Sequence, residues 1–386
     1  MTHPIKALLS SYSRIFTYSA GDVLLRRGVL DRLYTADLKR PPAALRPATS
    51  KFPAVGAIAG QVLGRVGVMG GMVQRIWTEY DAWVARRVEG RASRGANVFH
   101  GWSLYCLESM KVAERAGMVT VVDRSCPHIS TQRAILEEEL ALLGIRESLG
   151  ESPYFAQAPR MIEEYHAADY IVTCSEYSRG SFIANGFSPD RVVNIPLGAN
   201  FVPHRVDRSE AEPFRVLCVG THPYRKGVVH LIRAWQRARL PNARLVLRTP
   251  VSPQVAALID DESITVLPRL SREQLAEEYR RATVFCLPSI DEGFGMVVLE
   301  AMSFGLPVVA SSHVGAAELM RSGVDGLTFP VRDVEALAEH LTTLYRDRAL
   351  ARWMGENALQ TSQQYDWNRY TDELVRFYGT ARELQA

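Results

Sequence analysis

Two short stretches of this 386-residue chain concentrate residues able to do chemistry. The first, PSIDEGFGMVVLEAMSFGLPVVAS (288–311), sets Glu292 and Glu300 eight residues apart around a Gly293-Phe294-Gly295 loop. Glycines let backbone N–H groups approach a ligand, and a helix starting just after them adds partial positive charge. Such a loop suits a phosphate or a polyhydroxyl group. A lone G-x-G is more often an ordinary βαβ turn, so the loop alone decides little. The two carboxylates do not fit a glycosidase pair. Eight helical residues rise roughly 12 Å and turn by about 80°, whereas hydrolases need carboxyls about 5–9.5 Å apart. The pair suits two separate parts of one extended ligand instead. Glu300 has Val297, Val298, Leu299 and Ala301 as neighbours and needs a partner if buried. A sugar hydroxyl pair would serve, and a cap or a salt bridge is the plainer alternative.

The second stretch, VGTHPYRKGVVHLIRAW (219–235), carries Arg225, Lys226 and Gly227 before a helical pattern. Two adjacent cations at a strand's carboxyl end can clamp a diphosphate. A solvated basic turn is the bland reading. G-x-x-x-x-G-K-[ST] is absent, and so is G-x-G-x-x-G after the first strand, which weakens both a Walker loop and an NAD oxidoreductase.

These residues need a scaffold. The second half alternates apolar runs with helical patterns: FRVLCVG (214–220), RLVLRT (244–249), ITVLP (264–268), VFCLPS (284–289), PVVAS (307–311) and GLTFP (326–330), with helices at 228–239, 253–260, 271–281, 295–304 and 333–346. Strands this apolar, each followed by a helix, imply a parallel sheet covered on both faces, with ligands at the strands' carboxyl ends. The first half alternates less cleanly, with strands at 5–12, 97–102, 118–124, 170–175 and 192–198 and helices at 104–116 and 132–143. The polar stretch 200–213, with two prolines, reads as the linker between two α/β domains.

Composition agrees. A length of 386 residues favours two domains. With 47% hydrophobic and 23% charged residues, a disordered or collagen-like chain is excluded. Five scattered cysteines without C-x-x-C spacing argue against a disulfide framework or a cysteine-rich zinc site and fit a reducing cytosol. The most apolar stretch, 54–73, contains Gln61, Arg65 and six glycines, which disfavours a spanning helix, and no secretory signal is evident. The net charge of +3 divides into +9 over residues 1–95 and −6 over the rest. A basic first quarter suggests an anionic neighbour, although an Arg-rich solvated surface explains it as well.

Together the two stretches resemble retaining glycosyltransferases of family four, which have the GT-B fold. That family is marked by E-x7-E within E-G-F-G-x-x-x-x-E-A-M-x-x-G-x-P-V-V-A-S, matched almost throughout from Glu292 to Ser311, and by V-G-x-x-x-x-x-K-G, matched by Val219, Gly220, Lys226 and Gly227. The similarity continues through VFHGW, VVDRSCPH, EEYHAADYIVTCSEYSRGSF and VVNIPLGAN upstream and GVDGLTFPVRD and YDW downstream. It covers 97–386 well and 1–96 poorly.

The resemblance implies an α/β, GT-B-like chain with two Rossmann-like domains facing a cleft. The first comprises residues 1–205 plus 366–386, and a C-terminal helix from about Asp366-Trp367 crosses back to it; the second comprises 206–365. It implies transfer of a sugar from a nucleotide-diphosphate sugar to a hydroxyl acceptor, a glycan or lipid-linked glycan, with retention. Arg225 and Lys226 would hold the diphosphate, Glu300 the ribose, and Glu292 with the Gly293–Gly295 backbone the transferred sugar. His128 matches a family histidine that faces the sugar. The donor side would further include Gly220, Thr221, Phe294, Met296 and Val297, with Arg269 and Leu270 in the loop that reads the base. No cofactor or metal is expected, since the cations take a metal's place; Asp260-Asp261-Glu262 reads as a helix end. Nucleic acid is not an expected partner. A cytoplasmic location with peripheral contact to anionic membrane is expected. Two departures stand out: Thr221 occupies a place where the family often has Arg, and the family's first glycine loop is matched only weakly by Tyr18-Ser19-Ala20-Gly21. They keep open a non-catalytic nucleotide- or glycan-binding protein on the same fold.

Residue by residue, His128 is as readily a loop histidine as a catalytic one. Asp123 and Arg124 are placed to pair with each other, Glu137–Glu139 read as a solvated face, and Trp102 suits either sugar stacking or the core.

Overall fold

The structure, a computed structural model, describes residues 4–12, 16–53, 70–146, 149–201, 206 and 212–385. The first sheet has seven parallel strands: β1 (Ala7–Ser11), β2 (Leu30–Thr35), β3 (Thr49–Lys51), β4 (Val98–Trp102), β5 (Val119–Asp123), β6 (Tyr170–Thr173) and β7 (Val192–Asn194). Their order is β3-β2-β1-β4-β5-β6-β7. The second has six: β8 (Phe214–Val219), β9 (Ala243–Arg248), β10 (Ile264–Val266), β11 (Val284–Leu287), β12 (Val308–Ser311) and β13 (Gly326–Phe329), in the order β10-β9-β8-β11-β12-β13. Central strands such as β1, β4, β5, β11 and β12 are buried along their whole length, as strands covered by helices on both faces must be.

Each sheet reverses direction once, between β1 and β4 and between β8 and β11. At such a switch point the loops leaving adjacent strands run to opposite faces and open a crevice. In the second sheet β8 and β11 are joined in register, Phe285 beside Leu217. The loops after them are therefore the two chemically dense stretches.

Thirteen helices among the described residues cover the sheets; those used below are α4 (Ile129–Leu142), α6 (Glu176–Ala184), α7 (Val228–Ala238), α8 (Pro253–Ala256), α9 (Arg272–Arg281), α10 (Met296–Ser303), α11 (Val334–Arg346) and α13 (Trp367–Gln385). Two apolar clusters sandwich the second sheet. Val228, Leu231, Ile232 and Trp235 of α7 pack with Leu337 and Leu341 of α11 on one face. Tyr279 of α9 packs with Val298, Leu299 and Met302 of α10 on the other. Helix α13 returns to the first domain, where the Tyr378 hydroxyl meets His100 Nδ1 at 2.6 Å. Its entry crosses Gly198, where a Cβ would lie 2.6 Å from the Asp366 carbonyl carbon, so only glycine fits.

The anticipated strands all form, with β7 shorter than its reading, and the 253–260 helix shrinks to α8. Segment 41–95 contains a 3-10 turn (Ala43–Ala48), β3 and a 23-residue helix, Gly70–Ala92. Most of the linker reading at 200–213, including the 205/206 boundary, falls outside the described residues, as does most of the apolar stretch 54–73. No described helix is long and apolar enough to cross a membrane.

Candidate active site

The loop after β8 and the loop after β11 meet over the switch point. Gly227, at φ +66°, caps α7 against the Pro288 carbonyl, where no Cβ could fit. This contact fixes Lys226 and Arg225 beside the second loop. The Lys226 ammonium, almost fully buried, pairs with the Glu292 carboxylate, and Arg225 Nη2 lies 3.7 Å from the same carboxylate. Arg225 Nη1 also donates to the Asp291 carbonyl at 3.4 Å. Burial pushes the Glu292 carboxyl up, but the charges of Lys226 and Arg225 more than offset this and hold it below the usual carboxylate range. Gly220 leaves room for the stem of Lys226, whose Cγ would sit 2.6 Å from any Cβ there.

Glu300 behaves differently. It accepts from Asn200 Nδ2 at 3.1 Å and from the Tyr279 hydroxyl at 3.2 Å. Burial outweighs these bonds, so its pKa is raised. The predicted need for a partner is met by the protein itself, through two neutral groups that leave the carboxylate acceptor capacity to spare. Gly295, at φ +89°, caps α10, and Met296 and Val297 on its first turn are half-buried. Phe294 is buried in the core and offers only its backbone. Thr221 and Arg269 are exposed and Leu270 is half-buried.

His128 stands apart. Its ring packs among Tyr165, Phe182 and Phe187, with centroids 5.2–5.8 Å away. Its Nδ1 accepts from the Ser130 amide at 3.3 Å as the N-cap of α4. Burial first, then the nearby Arg124 charge, depresses its pKa to about 4. In this arrangement His128 is a neutral residue that caps α4.

Three smaller expectations also change. Arg124 donates to the Pro127 carbonyl and the Gln132 side chain rather than pairing with Asp123. Asp123 lies 3.5 Å from His100 Nε2. Glu139 is not on a solvated face: it is buried and accepts from His230 Nε2 and Arg332 Nε, each at 2.8 Å, across the two domains. Trp102 is core, stacked on His100. Among the described residues no cluster of His, Cys, Asp and Glu suits a metal ion.

Sequence reasoning missed the groups that close the domains. Gln132 Nε2 and the Tyr177 hydroxyl donate to the Asp291 carboxylate at 2.7 and 3.0 Å. Ser175 Oγ donates to the Gly293 carbonyl at 2.5 Å. Glu318 accepts from the amides of Glu176 and Tyr177 at the start of α6. Gly293 itself abuts the Ser125 carbonyl so closely that a Cβ has no space.

Two parallel-sheet domains facing each other across paired switch-point loops define the GT-B architecture, and solved structures agree. Sucrose-phosphate synthase from Thermosynechococcus elongatus superposes with a TM-score of 0.68 at 20% identity, covering 98% of this chain and all of that one. Anabaena HepE, solved with UDP and glucose, gives 0.62 at 17% identity, covering 97% and 100%. Residues 204–361 match the family model of glycosyl transferases group 1. D-inositol 3-phosphate glycosyltransferase 1 of Catenulispora acidiphila is 30% identical over 246 residues, 56% of this chain and 58% of that protein. A D-inositol 3-phosphate glycosyltransferase of Kribbella flavida is 36% identical over 128 residues, 33% and 30% of the two chains. O-antigen chain mannosyltransferase B of Escherichia coli is 28% identical over 241 residues, 56% and 62%. These matches span between about a third and three fifths of the relatives' own lengths. The whole chain has the GT-B fold, and its second domain matches the glycosyl transferases group 1 model.

Proposed function

We propose that the protein transfers a sugar from a nucleotide-diphosphate sugar to a hydroxyl acceptor with retention of configuration. The observation that carries this reading is the meeting of Lys226, Arg225 and Glu292 over the β8/β11 switch point, with Glu300 eight residues on in a second polar setting. Lys226 and Arg225 take the diphosphate, Glu300 the ribose hydroxyls, and Glu292 with the Gly293–Gly295 backbone the sugar. Arg269 and Leu270 lie on the base side, with Gly220, Thr221, Met296 and Val297 completing the donor surface.

The step is a front-face displacement. The bond from the anomeric carbon to the phosphate oxygen breaks, the acceptor oxygen bonds to that carbon on the same face, and the acceptor proton passes to the departing phosphate. Lys226, Arg225 and the N-terminus of α10 stabilise the charge that develops on the diphosphate. Two cations already at the diphosphate favour a metal-independent reaction. A peripheral contact of the basic first quarter with anionic membrane belongs to the same proposal.

A thermal-shift panel of nucleotide sugars selects the donor, because a ligand at 100 times its Kd adds about 2.7 kcal/mol of stability. Turnover of that donor is then followed with and without EDTA, and the anomer of the product is assigned by NMR. Binding without donor cleavage would leave a nucleotide-binding protein, and an inverted anomer or loss of turnover in EDTA would refute the corresponding part.

A further inference from the structure

We infer that the acceptor is an anionic amphiphile, a molecule with an apolar chain or ring system carrying a phosphate or carboxylate, seated between the domains on the side of Lys226 and Arg225 away from Glu300. This deepens the transferase reading and rests on it.

A cleft of about 1090 Å³ lies there, much larger than one sugar ring needs. One wall comes from the first domain, with Leu136 and Leu140 of α4 and Phe155. The facing wall comes from the second, with Tyr224 and Val251. Tyr224 and Val251 pack on the α7/α11 face of the second sheet, whereas Glu300 and Tyr279 lie on the α9/α10 face. Arg225, which lies beside Glu292, lines the cleft together with Thr221 of the donor surface, whereas Glu300 does not line it. A sugar held at Glu292 is approached from this cleft.

The lining chemistry is one-sided. It is mostly apolar, and it includes Arg225, the exposed Arg146 and no carboxylate among the described lining residues. Arg225 is partly neutralised by Glu292 and by the buried Asp291 carboxylate, but a third cation stands behind the wall. Arg124 is buried, its guanidinium 5.8 Å from the centroid of the Tyr154 ring, and Tyr154 lines the cleft. The described hydrogen-bond partners of Arg124 are all neutral: the Pro127 carbonyl, Gln132 Oε1 and Met161 Sδ. A buried guanidinium without a carboxylate beside it projects positive potential into a poorly solvated space. A neutral polyol would leave both the apolar walls and this potential unused. An apolar body with one anionic group uses both.

The test uses the full chain, saturated with the nucleoside diphosphate selected above, and four probes: octyl phosphate, octanoate and octyl glucoside, each below its micellar concentration, and inorganic phosphate. Calorimetry should give octyl phosphate or octanoate a Kd at least about 10-fold below those of octyl glucoside and inorganic phosphate, and the better of the two names the head group. Arg146→Ser should weaken the anionic amphiphiles by about 10-fold and leave octyl glucoside unchanged. Val251→Asp, at a half-buried loop position, should weaken the amphiphiles without altering nucleotide affinity. The inference is overturned if inorganic phosphate or octyl glucoside binds as tightly as the anionic amphiphiles, if no probe binds, or if both variants bind like wild type. Nucleotide binding and donor turnover are measured on the same wild-type protein, so a failure there strikes the transferase reading rather than the acceptor class.

Discussion

If Lys226 and Arg225 take the donor diphosphate as proposed, Glu292 competes with it for them, and this has a measurable consequence. The Glu292 carboxylate is paired with Lys226 and lies 3.7 Å from Arg225 Nη2, and all three side chains are at least four-fifths buried. At an effective dielectric of 20, opposite unit charges at that separation attract by about 4 kcal/mol. A diphosphate entering the site must draw on the same two cations while Glu292 repels it. Glu292→Gln keeps the side chain's shape and removes the competing charge. If a third of the attraction is released to the ligand, about 1.4 kcal/mol, the bare nucleoside diphosphate binds roughly 10-fold tighter. Turnover should nevertheless fall, because the group proposed to grip the sugar is altered. Glu300→Gln should do the opposite to the bare nucleotide. Losing a charge-assisted bond to the ribose costs about 1.5–3 kcal/mol, or roughly 10- to 150-fold in affinity. Calorimetry with the nucleoside diphosphate and steady-state turnover of the full donor separate the two variants. If Glu292→Gln weakens the bare nucleotide as much as Glu300→Gln does, the assignment of one carboxylate to each end of the donor is wrong.

Four further outcomes follow from the same geometry. Lys226→Ala should retain the far-ultraviolet dichroism of the wild type but lose about 100-fold or more in kcat/KM, and wild-type turnover in the folded variant would exclude the diphosphate role. Gly293→Ala, forced against the Ser125 carbonyl, should cost about 1–3 kcal/mol and lower kcat/KM; an unchanged Tm and rate would show that the domains need not approach so closely. The Glu139 carboxyl is pushed up by burial but held below its ordinary 4.5 by His230 and Arg332, so its stabilisation is full above pH 4.5 and lost as pH falls through the lower folded value. Glu139→Gln should therefore cost about 1–3 kcal/mol at neutral pH and flatten the acid limb of the stability curve, and an acid limb parallel to the wild type's would count against the clamp. The net charge of +9 over residues 1–95 should give salt-sensitive co-sedimentation with anionic liposomes, and no binding at low salt would remove the membrane contact.

The parts legible in sequence are those set by local pattern. Runs such as VFCL and VVAS announce strands because side chains buried on both faces leave no polar alternation. Gly227 and Gly295 announce the turns because their positive φ and tight surroundings exclude other residues. What stayed hidden depends on groups far apart in the chain. Gln132 and Asp291 are 159 positions apart, and nothing near either hints at the other. Glu139 sits in a run of three glutamates that looks solvated until Arg332 and His230 arrive from the other domain. The setting of His128 was hidden for a related reason: the aromatic residues that enclose it, Tyr165, Phe182 and Phe187, lie well downstream.

These hidden contacts converge on the loop that carries the chemistry. Within three consecutive residues, Asp291 is held by Gln132 and Tyr177 of the first domain, Glu292 is held by cations of the second, and the Gly293 carbonyl is held by Ser175 of the first. Domain closure and the charge state around the donor are thus read by the same short piece of backbone. A diphosphate that draws Lys226 and Arg225 away from Glu292 acts on a loop whose neighbouring residues fasten the two domains together. Moving a loop so constrained cannot leave the interdomain bonds untouched, because interiors packed to this density transmit small displacements rather than absorbing them. The Glu139 clamp to His230 and Arg332 adds a second fastening, carried by the same helix α4 that presents Gln132 to Asp291. The two fastenings differ in chemistry, and only the one at Asp291–Gly293 adjoins Lys226 and Arg225, the cations proposed to take the diphosphate.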